Sequence, residues 1–523
     1  MSMKILKTAM RILTGFRLYT TINIIGLTLS LACAMIVIRY IHREVTTDGF
    51  CPDLERTCFL VGEFPNRPPR LTGNSNRNRD PNFRDPLDDP CVEIYTSYMP
   101  FPEDYLIVDR QHYPVRTLVT DSTFLQVLPY PLLAGSGKLS SPTDAVLTQE
   151  IARRIFGSEL PLGKTFTLST GDVLTITGIL GEPDTKTSLS FDMLVSSKLK
   201  KRWGRVDYSI ARLVTGADVR QLNERNSEYM NLRQNSGVPV RYQLYPMKDF
   251  YFNHTIHTWS TSNNMFVQGN YANILVLAAV AGMLLIVGLF NFVNIYTVMM
   301  LRRAREFGVK KVYGAGKWKI FSQIWVENFF TVTIAMLFVW VLIELTGGLL
   351  ESQFSIPPKS DAGFDWLLSV LILVFFPLLT AVHPAVKYFR ALPITSLRSV
   401  SVGGHSVVSR TVFLFSQYVI TFSLIVISSF FVKQLYFMLN ADLGYRTKDV
   451  IQCRFLSDSS EEGYNADKVK KAEQTRRLIN DRLSSCPLFE NYASGDYPNI
   501  MERERKKYER ARERPENLIS KLP

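Results

Sequence analysis

The sequence predicts a membrane protein in which α-helical transmembrane spans carry a mixed α/β extracytoplasmic domain. Three observations predict it. Five nearly uncharged stretches each approach the roughly 20 apolar residues that a helix needs to cross a ~30 Å bilayer core. The long segment 43–271, between the first and second of these, reads as ordinary globular protein. The excess positive charge is confined to three segments that would lie on one side of the spans.

The composition agrees. Of 523 residues, 46% are apolar and 20% charged, against about 25% charged in soluble proteins. Such a chain is not wholly disordered, not a disulfide miniprotein and not a fibrous repeat, and it argues against a simple cytosolic enzyme. At roughly 150 residues per domain, three or four units are expected.

The apolar stretches are Thr21–Ile38, Ile274–Met300, Val326–Ile343, Trp366–Val382 (which holds Pro377) and Thr411–Val432. A single one could be a buried core helix; five with few charges read as spans. The first is longer than the about 7–15 apolar residues of a signal peptide. The only cleavage-like sequence after it, Ser30-Leu31-Ala32-Cys33, has Ser30 in place of an aliphatic residue. It reads as an uncleaved anchor.

Orientation follows from short basic flanks. Lys4, Lys7, Arg11 and Arg17 precede the first span. Arg302, Arg303, Arg305, Lys310, Lys311, Lys317 and Lys319 follow the second. Lys387, Arg390, Arg398 and Arg410 follow the fourth. These segments hold 15 Lys and Arg with the single acid Glu306, a surplus of 14 against +13 for the whole chain. The net charge is therefore a topology signal and no nucleic-acid partner is expected. The amino terminus is expected in the cytoplasm, with residues 43–271 and those beyond about 433 outside.

Within 43–271, Asp144–Thr148 reads as a strand and Gln149–Phe156 as a helix ended by Gly157. Phe166–Leu168 and Val173–Thr177 flank Gly171-Asp172 as a hairpin. Ile210–Val214 followed by Ala217–Leu232 repeats the strand–helix order, and residues 65–90, rich in Pro, Asn and Arg, read as a loop. The stretch Gly157–Thr165 imitates a nucleotide-binding loop. It has five residues, one of them Pro161, where four are required between the glycines, so it reads as a turn before a strand. His254 and His257 have ligand-like spacing without a third ligand nearby, and no metal or cofactor is expected. No Walker, Gly-x-Ser-x-Gly or His-Glu-x-x-His motif occurs in the sequence, so the chain is not expected to be an enzyme. Of six cysteines, Cys51, Cys58, Cys91, Cys453 and Cys486 lie on the side where bridges are permitted, and Cys58–Cys91 and Cys51–Cys58 are open pairings.

The most informative stretch runs from Asn291 to Glu327. Asn291 and Asn294 are three apart and share a helix face; amides in hydrocarbon need partners, so this face is expected to pack on another helix. The run Arg302-Arg303-Ala304-Arg305-Glu306-Phe307-Gly308-Val309-Lys310-Lys311-Val312-Tyr313-Gly314-Ala315-Gly316 interleaves an acid and glycines with its cations. A plain headgroup-anchoring belt does not require that.

This run resembles the signature of MacB/FtsX-type ABC transporter permeases: an Arg (Arg303 or Arg305), a Glu-aliphatic-Gly triplet (Glu306-Phe307-Gly308), a basic pair (Lys310-Lys311), Gly314-Ala315, and a Glu opening the next span (Glu327). Phe124-Leu125 with Pro131–Gly135, and Phe156-Gly157 with Pro161 and Gly163-Lys164, are similar to the family's periplasmic core domain. Ile22–Leu27 is similar to the start of its two-repeat members. The resemblance covers about residues 1–455. Phe307 stands where an aliphatic residue is usual, and Gly316 where a Ser is common.

The resemblance implies a permease that pairs with a separate ATPase subunit. Arg303, Arg305, Glu306, Gly308, Lys310, Lys311, Gly314 and Ala315 would couple to the ATPase, while Asn291, Asn294 and Glu327 pack the spans. ATP-driven closure would move the outer domain in mechanotransmission rather than conduct cargo through the spans, serving export of a peptide, drug or lipoprotein-like substrate. Implied partners are the ATPase, membrane lipid and a second permease copy; the implied location is a bacterial inner membrane. A sensor or scaffold without transport is the alternative reading.

The expected organisation is 1–20 cytoplasmic, 21–42 span one, 43–271 core domain, 272–400 FtsX-like domain with spans 274–300, 326–345 and 366–385, 411–433 span five, and 434–500 the start of a second outer domain. Residues 501–523, of which 13 of 23 are charged, form a tail. The second copy is expected to be cut short by truncation or a frame shift, which would leave an inactive permease as a further alternative.

Overall fold

A computed structural model describes residues 17–65, 67–73, 85–169, 171–199, 207–227, 231–232, 239–258, 265–354, 361–390, 404–441, 474 and 477–487. Five helices among them are long and apolar enough to cross a membrane. The first helix, α1 (Arg17–Val45), leads into a sheet domain of twelve strands. In chain order these are β1 (Thr57–Glu63), β2 (Arg70–Leu71), β3 (Val92–Val108), β4 (Gln111–Thr120), β5 (Leu132–Gly135), β6 (Asp144–Thr148), β7 (Thr165–Leu168), β8 (Val173–Leu180), β9 (Met193–Ser196), β10 (Tyr208–Leu213), β11 (Asn231–Leu232) and β12 (Pro239–Pro246). Helices α2 (Phe124–Val127), α3 (Gln149–Phe156), α4 (Val219–Ser227) and α5 (Met247–Phe250) are interleaved with them. Then come α6 (Tyr271–Arg302), the short α7 (Ala304–Val312), α8 (Lys317–Phe354), α9 (Ala362–Arg390) and α10 (Gly404–Asn440).

Most strands pair antiparallel; β4 with β9 and β6 with β8 run parallel. The strand β7 pairs with both β3 and β8. The pairings β3–β4–β9–β6–β8–β7–β3 therefore close on themselves. Side chains alternate along a strand, and this ring encloses Leu106, Val115, Phe166, Leu168, Leu174, Ile176, Met193 and Val195 as one core. The long β3 serves both parts of the sheet: its second half joins the ring, and its first half pairs with β10, which continues to β1 and β12. A register shift between Phe101 and Asp104 marks the change, as bulges do where strands bend. Helix α4 covers one face of this wing through Leu222.

The expected strand over Asp144–Thr148, the helix over Gln149–Phe156 and the hairpin at Gly171 all form. Gly157, Gly163 and Gly171 adopt positive φ of 67°, 78° and 84°, which glycine tolerates without strain. The imitation of a nucleotide loop is a turn into β7 whose Lys164 bonds Glu159. The helix expected to reach Leu232 is described to Ser227, and Asn231-Leu232 instead pair with β12. Neither open disulfide pairing forms. Cys51, Cys58 and Cys91 are free, and burial pushes the Cys58 thiol up to about 12. Cys453 lies outside the described residues, as does the charged tail.

The spans extend beyond their apolar centres, as at Arg17–Val45, Ala362–Arg390 and Gly404–Asn440. Helix α1 packs tightly on α6. A Cβ on Gly26 would sit 2.6 Å from Asn291 Nδ2, and one on Gly288 would sit 2.4 Å from Ser30 Oγ. Ser30 Oγ donates to the Leu284 carbonyl at 2.6 Å. Small residues allow such backbone approach between membrane helices. The bundle core runs from Leu27, Leu31 and Met35 of α1 to Phe292 and Tyr296 of α6, Val332 and Val339 of α8, and Phe376 of α9. Helix α10 meets α6 through the Phe290–Phe413 ring contact at 5.1 Å.

Candidate functional site

Two buried ionic clusters occupy opposite ends of the bundle. The first sits at the corner where α6 turns into α7 and α8. Arg303 breaks the helix, with φ −99° and ψ 6°, and its side chain points inward. Arg303 Nη1 and Nη2 donate to Glu327 Oε2 and Oε1 at 2.7 and 3.1 Å. Their side chains are 5% and 4% exposed, so the pair must be fully satisfied to offset its desolvation. It is: Tyr296 Oη and Gln323 Nε2 both donate to Glu327 at 2.9 Å, and Arg303 Nε donates to Glu306 at 3.0 Å. Lys310 Nζ closes the ring, donating to Glu306 at 2.6 Å and Gln323 at 2.9 Å. Phe307 lies beneath both cations, 5.1 Å from the Arg303 guanidinium and 5.3 Å from Lys310 Nζ. That stacking gives the aromatic replacement a physical role. Burial works to raise the Glu306 carboxyl, but Arg303 and Lys310 outweigh it and hold it below the usual range. Burial and then Lys317 lower Lys311.

Helix α7 ends in a Schellman motif. Ala315 N–H donates to the Lys310 carbonyl and Gly314 N–H to that of Lys311, with Gly314 at φ +79°. This is the C-terminal cap that a glycine supplies at least cost. The Gly314-Ala315 pair thus has a local reason: it stops α7 and redirects the chain into α8. Gly316 then starts α8 without a side-chain cap, its carbonyl accepting from Lys319 and Ile320.

The residues singled out in this stretch therefore divide. Arg303, Glu306, Lys310 and Glu327 belong to the internal cluster, and Gly308 is buried within α7. Arg305 and Gly314 face outward, while Lys311 and Ala315 are half-buried. The outward face also carries Val309, Val312, Tyr313 (87% exposed) and Trp318 (82%). On α6, Asn291 lies against Gly26 of α1, and Asn294 is buried.

The second cluster is at the other end, where α1 and α6 meet the sheet domain. Arg39 Nε donates to Asp365 Oδ1 at 2.8 Å, the pair is 8% exposed on each side, and the Arg39 guanidinium lies 5.1 Å from the Trp340 ring centre. This ties α1, α8 and α9 together. At the end of α1, Glu44 accepts from Lys186 Nζ and from Tyr251 Oη, and Lys186 Nζ also donates to Tyr251 Oη at 2.7 Å. Burial, then Glu44, pushes the Tyr251 phenol well above its usual value. Asp48, in the left-handed region at φ 64°, accepts from Ser188 N–H at 2.7 Å and donates its own N–H to the Lys186 carbonyl. Burial raises its carboxyl. The loop between β8 and β9 also bonds the segment leading into α6: Ser190 N–H to Met265 and Val267 N–H to Ser188. Gly269 there lies so close to Tyr251 that a Cβ would stand 2.2 Å from its ring.

Sequence reasoning missed this junction, together with Tyr296 and Gln323 at the other end. Arg39, Glu44 and Asp365 did carry a signal, being charges at the ends of apolar spans. Among the described residues, no group of three His, Cys, Asp or Glu is placed to hold a metal, and His254 and His257 are both exposed.

Comparison with known proteins places two families on the chain. Residues 20–228 match the MacB-like periplasmic core domain, and residues 278–393 match the FtsX-like permease C-terminal domain. The ABC transporter permease YknZ of Bacillus subtilis (strain 168) is 26% identical over 268 residues, covering 48% of this chain and 61% of YknZ. The macrolide export ATP-binding/permease protein MacB of Bdellovibrio bacteriovorus is 26% identical over 278 residues, covering 49% of this chain and 38% of MacB. The chain thus spans less than two thirds of either relative. Among solved structures, the periplasmic region of MacB from Actinobacillus actinomycetemcomitans aligns with 37% of this chain and 90% of its own at 12% identity and a TM-score of 0.27. The extracellular domain of YknZ aligns with 36% and 98% at 15% identity and a TM-score of 0.26.

Proposed function

The chain belongs to the FtsX/MacB-like ABC transporter permeases, and from that premise we propose that it is a membrane subunit driven by a separate ATP-hydrolysing subunit. The ATPase docks on the outward face of α7, and closure of the ATPase shifts the spans and moves the sheet domain. The observation that carries this reading is the division of α7 into two faces. Its inner face is fixed to α6 and α8 by Arg303, Glu306, Lys310 and Glu327. Its outer face offers Arg305, Val309, Val312 and Tyr313. A force applied to that face is transmitted to two spans because the buried cluster lets α7 move only with them. A rigid helix relays a shift when the elements at both ends have discrete arrangements.

The Lys and Arg flanks support a cytoplasmic amino terminus and a cytoplasmic α7, with residues 43–271 outside. The eight coupling residues act in two roles: Arg305 and Lys311 contact the ATPase, while Arg303, Glu306, Gly308, Lys310, Gly314 and Ala315 hold α7 in shape. Lipid surrounds the spans, and a second permease copy completes the assembly. Cargo is a peptide, drug or lipoprotein-like molecule handled on the outer side.

The test is a mild-detergent purification of the tagged full chain from its native membrane, with mass spectrometry for P-loop ATPases. A stoichiometric ATPase is expected, lost in Arg305→Glu with Val309→Asp while membrane insertion persists. A stably inserted chain that brings down no ATPase contradicts the reading and favours a sensor or scaffold. Cysteine labelling should find residue 150 outside and residue 317 inside.

A further inference from the structure

Four polar side chains inside the bundle find no hydrogen-bond partner for one atom among the described residues: Asn23 Oδ1 on α1, Asn294 Nδ2 and Thr297 Oγ1 on α6, and Asn328 Oδ1 on α8. All four are more than nine-tenths buried. They come from three different helices, yet the packing brings them to one level. Gly26 of α1 meets Asn291 of α6, and Ser30 meets Leu284, so these helices run antiparallel. Asn23, three residues before Gly26, is therefore level with Asn294, three after Asn291. Tyr296 of α6 bonds Glu327 of α8, and the next residue on each helix is Thr297 and Asn328. Thr28 of α1 bonds the Ala335 carbonyl of α8; α1 and α8 run the same way, so counting back about one and a half turns on α1 and about two on α8 returns to Asn23 and Asn328.

A fourth helix reaches the same level. Asn328 Nδ2 donates to Thr380 Oγ1 of α9 at 3.0 Å. Thr380 stands between Pro377 and Pro384, both inside the helix. A proline has no N–H for the carbonyl four residues earlier, so Pro384 offers none to Thr380 and Pro377 none to Leu373.

The groups in this layer are neutral amides and hydroxyls, with acceptors and donors both represented and amide orientation free to exchange oxygen for nitrogen. Bare polar groups in an apolar interior are costly. The ligand that satisfies mixed neutral donors and acceptors is water, which takes two to four partners in such a site. We infer that the bundle holds a buried water cluster at the level of Asn23, Asn294, Thr297, Asn328 and Thr380, one residue step from the Arg303–Glu327 cluster. Water there can exchange partners as helices slide, and α9 lacks two backbone hydrogen bonds near that level, at Pro377 and Pro384. The inference does not require an ATPase partner.

Hydroxyl-radical footprinting by brief X-ray pulses tests it on the full chain in lipid nanodiscs. Radicals form from water, so a buried side chain is oxidised only beside bound water. Phe292 and Tyr296, both within the layer and buried, are expected to label several-fold faster than Leu31 and Val339 after correction for intrinsic reactivity. Asn294→Leu with Thr297→Val should return Phe292 to the rate of Leu31. Equal rates at the two levels in the native protein would overturn the inference. So would undiminished Phe292 labelling in the double variant, because the water would then lie elsewhere.

Discussion

Both ends of the helical bundle are held by buried charge, but the two clusters are assembled differently. At the α7 corner, Tyr296, Arg303, Glu306, Lys310, Gln323 and Glu327 lie within one continuous run of chain. At the opposite end, Arg39 meets Asp365, and Glu44 meets Lys186 and Tyr251, so residues from distant parts of the chain must fold before any contact exists. The first cluster shapes one corner. The second joins the sheet domain to the spans. A local cluster suits a handle on which a partner can pull; a distributed one suits a joint that passes the pull onward.

Removing one partner of a buried ion pair is the strongest way to break the comparison. Glu327→Ala leaves the buried Arg303 with only Glu306, which Lys310 shares, and should cost about 3–5 kcal/mol. Asp365→Ala should cost a similar amount by stranding Arg39. Thermal unfolding in detergent measures both. The comparison sharpens if the Glu327 variant loosens α7 in hydrogen exchange and leaves β8–β9 protection unchanged, while the Asp365 variant loosens the carboxyl end of α1 and the amino end of α9. Identical exchange patterns would mean that the ends are not separable.

Tyr251→Phe is the milder cut at the joint. It removes the hydroxyl that bonds Glu44 and Lys186, and a hydrogen bond to a charged group contributes roughly 1.5–3 kcal/mol. The ion pair of Glu44 with Lys186 remains, so the fold should survive with a modestly lower midpoint. At the corner, Gly314→Ala forces a side chain into the left-handed region at φ +79°, at roughly 1–2 kcal/mol. Nothing lies within 4 Å of the added Cβ, so backbone strain alone should account for the loss in a melting curve.

The smallest effect is in pH. Glu306 has a folded-state pKa below its ordinary value, so its stabilisation is present above the ordinary carboxylate pKa of about 4.3 and lost as pH falls through the lower folded value. Glu306→Gln should therefore lower α7 protection in hydrogen exchange at neutral pH towards its acid value, so that the acid limb flattens. An unaltered acid limb would assign that limb to another carboxyl.

The contrast also explains what the sequence made legible. The five spans announced themselves through hydropathy. The strand over Asp144–Thr148, the helix ended by Gly157 and the Gly171 hairpin each rest on local signals. The α7 corner was visible because its glycines and charges are contiguous, although alternation of type could not tell that Arg303 faces inward while Arg305 faces outward. That depends on Arg303 leaving helical geometry. The joint was not visible because nothing near Lys186 in sequence points to Glu44, and the closure of β3 onto β7 depends on pairing across some sixty residues. Asn231 and Leu232 were read as helix because β12, which claims them for the sheet, follows them in the chain.

The central claim is that motion imposed at α7 reaches the sheet domain through the Glu44–Lys186–Tyr251 joint. Spin labels at the exposed Arg154 of the sheet domain and Glu351 at the carboxyl end of α8, read by double electron–electron resonance in the ATPase complex, test it directly. The native joint should give an ATP-dependent change of distance, and Lys186→Met with Tyr251→Phe should abolish it while ATPase binding and hydrolysis persist. An undiminished distance change in the double variant would contradict the account.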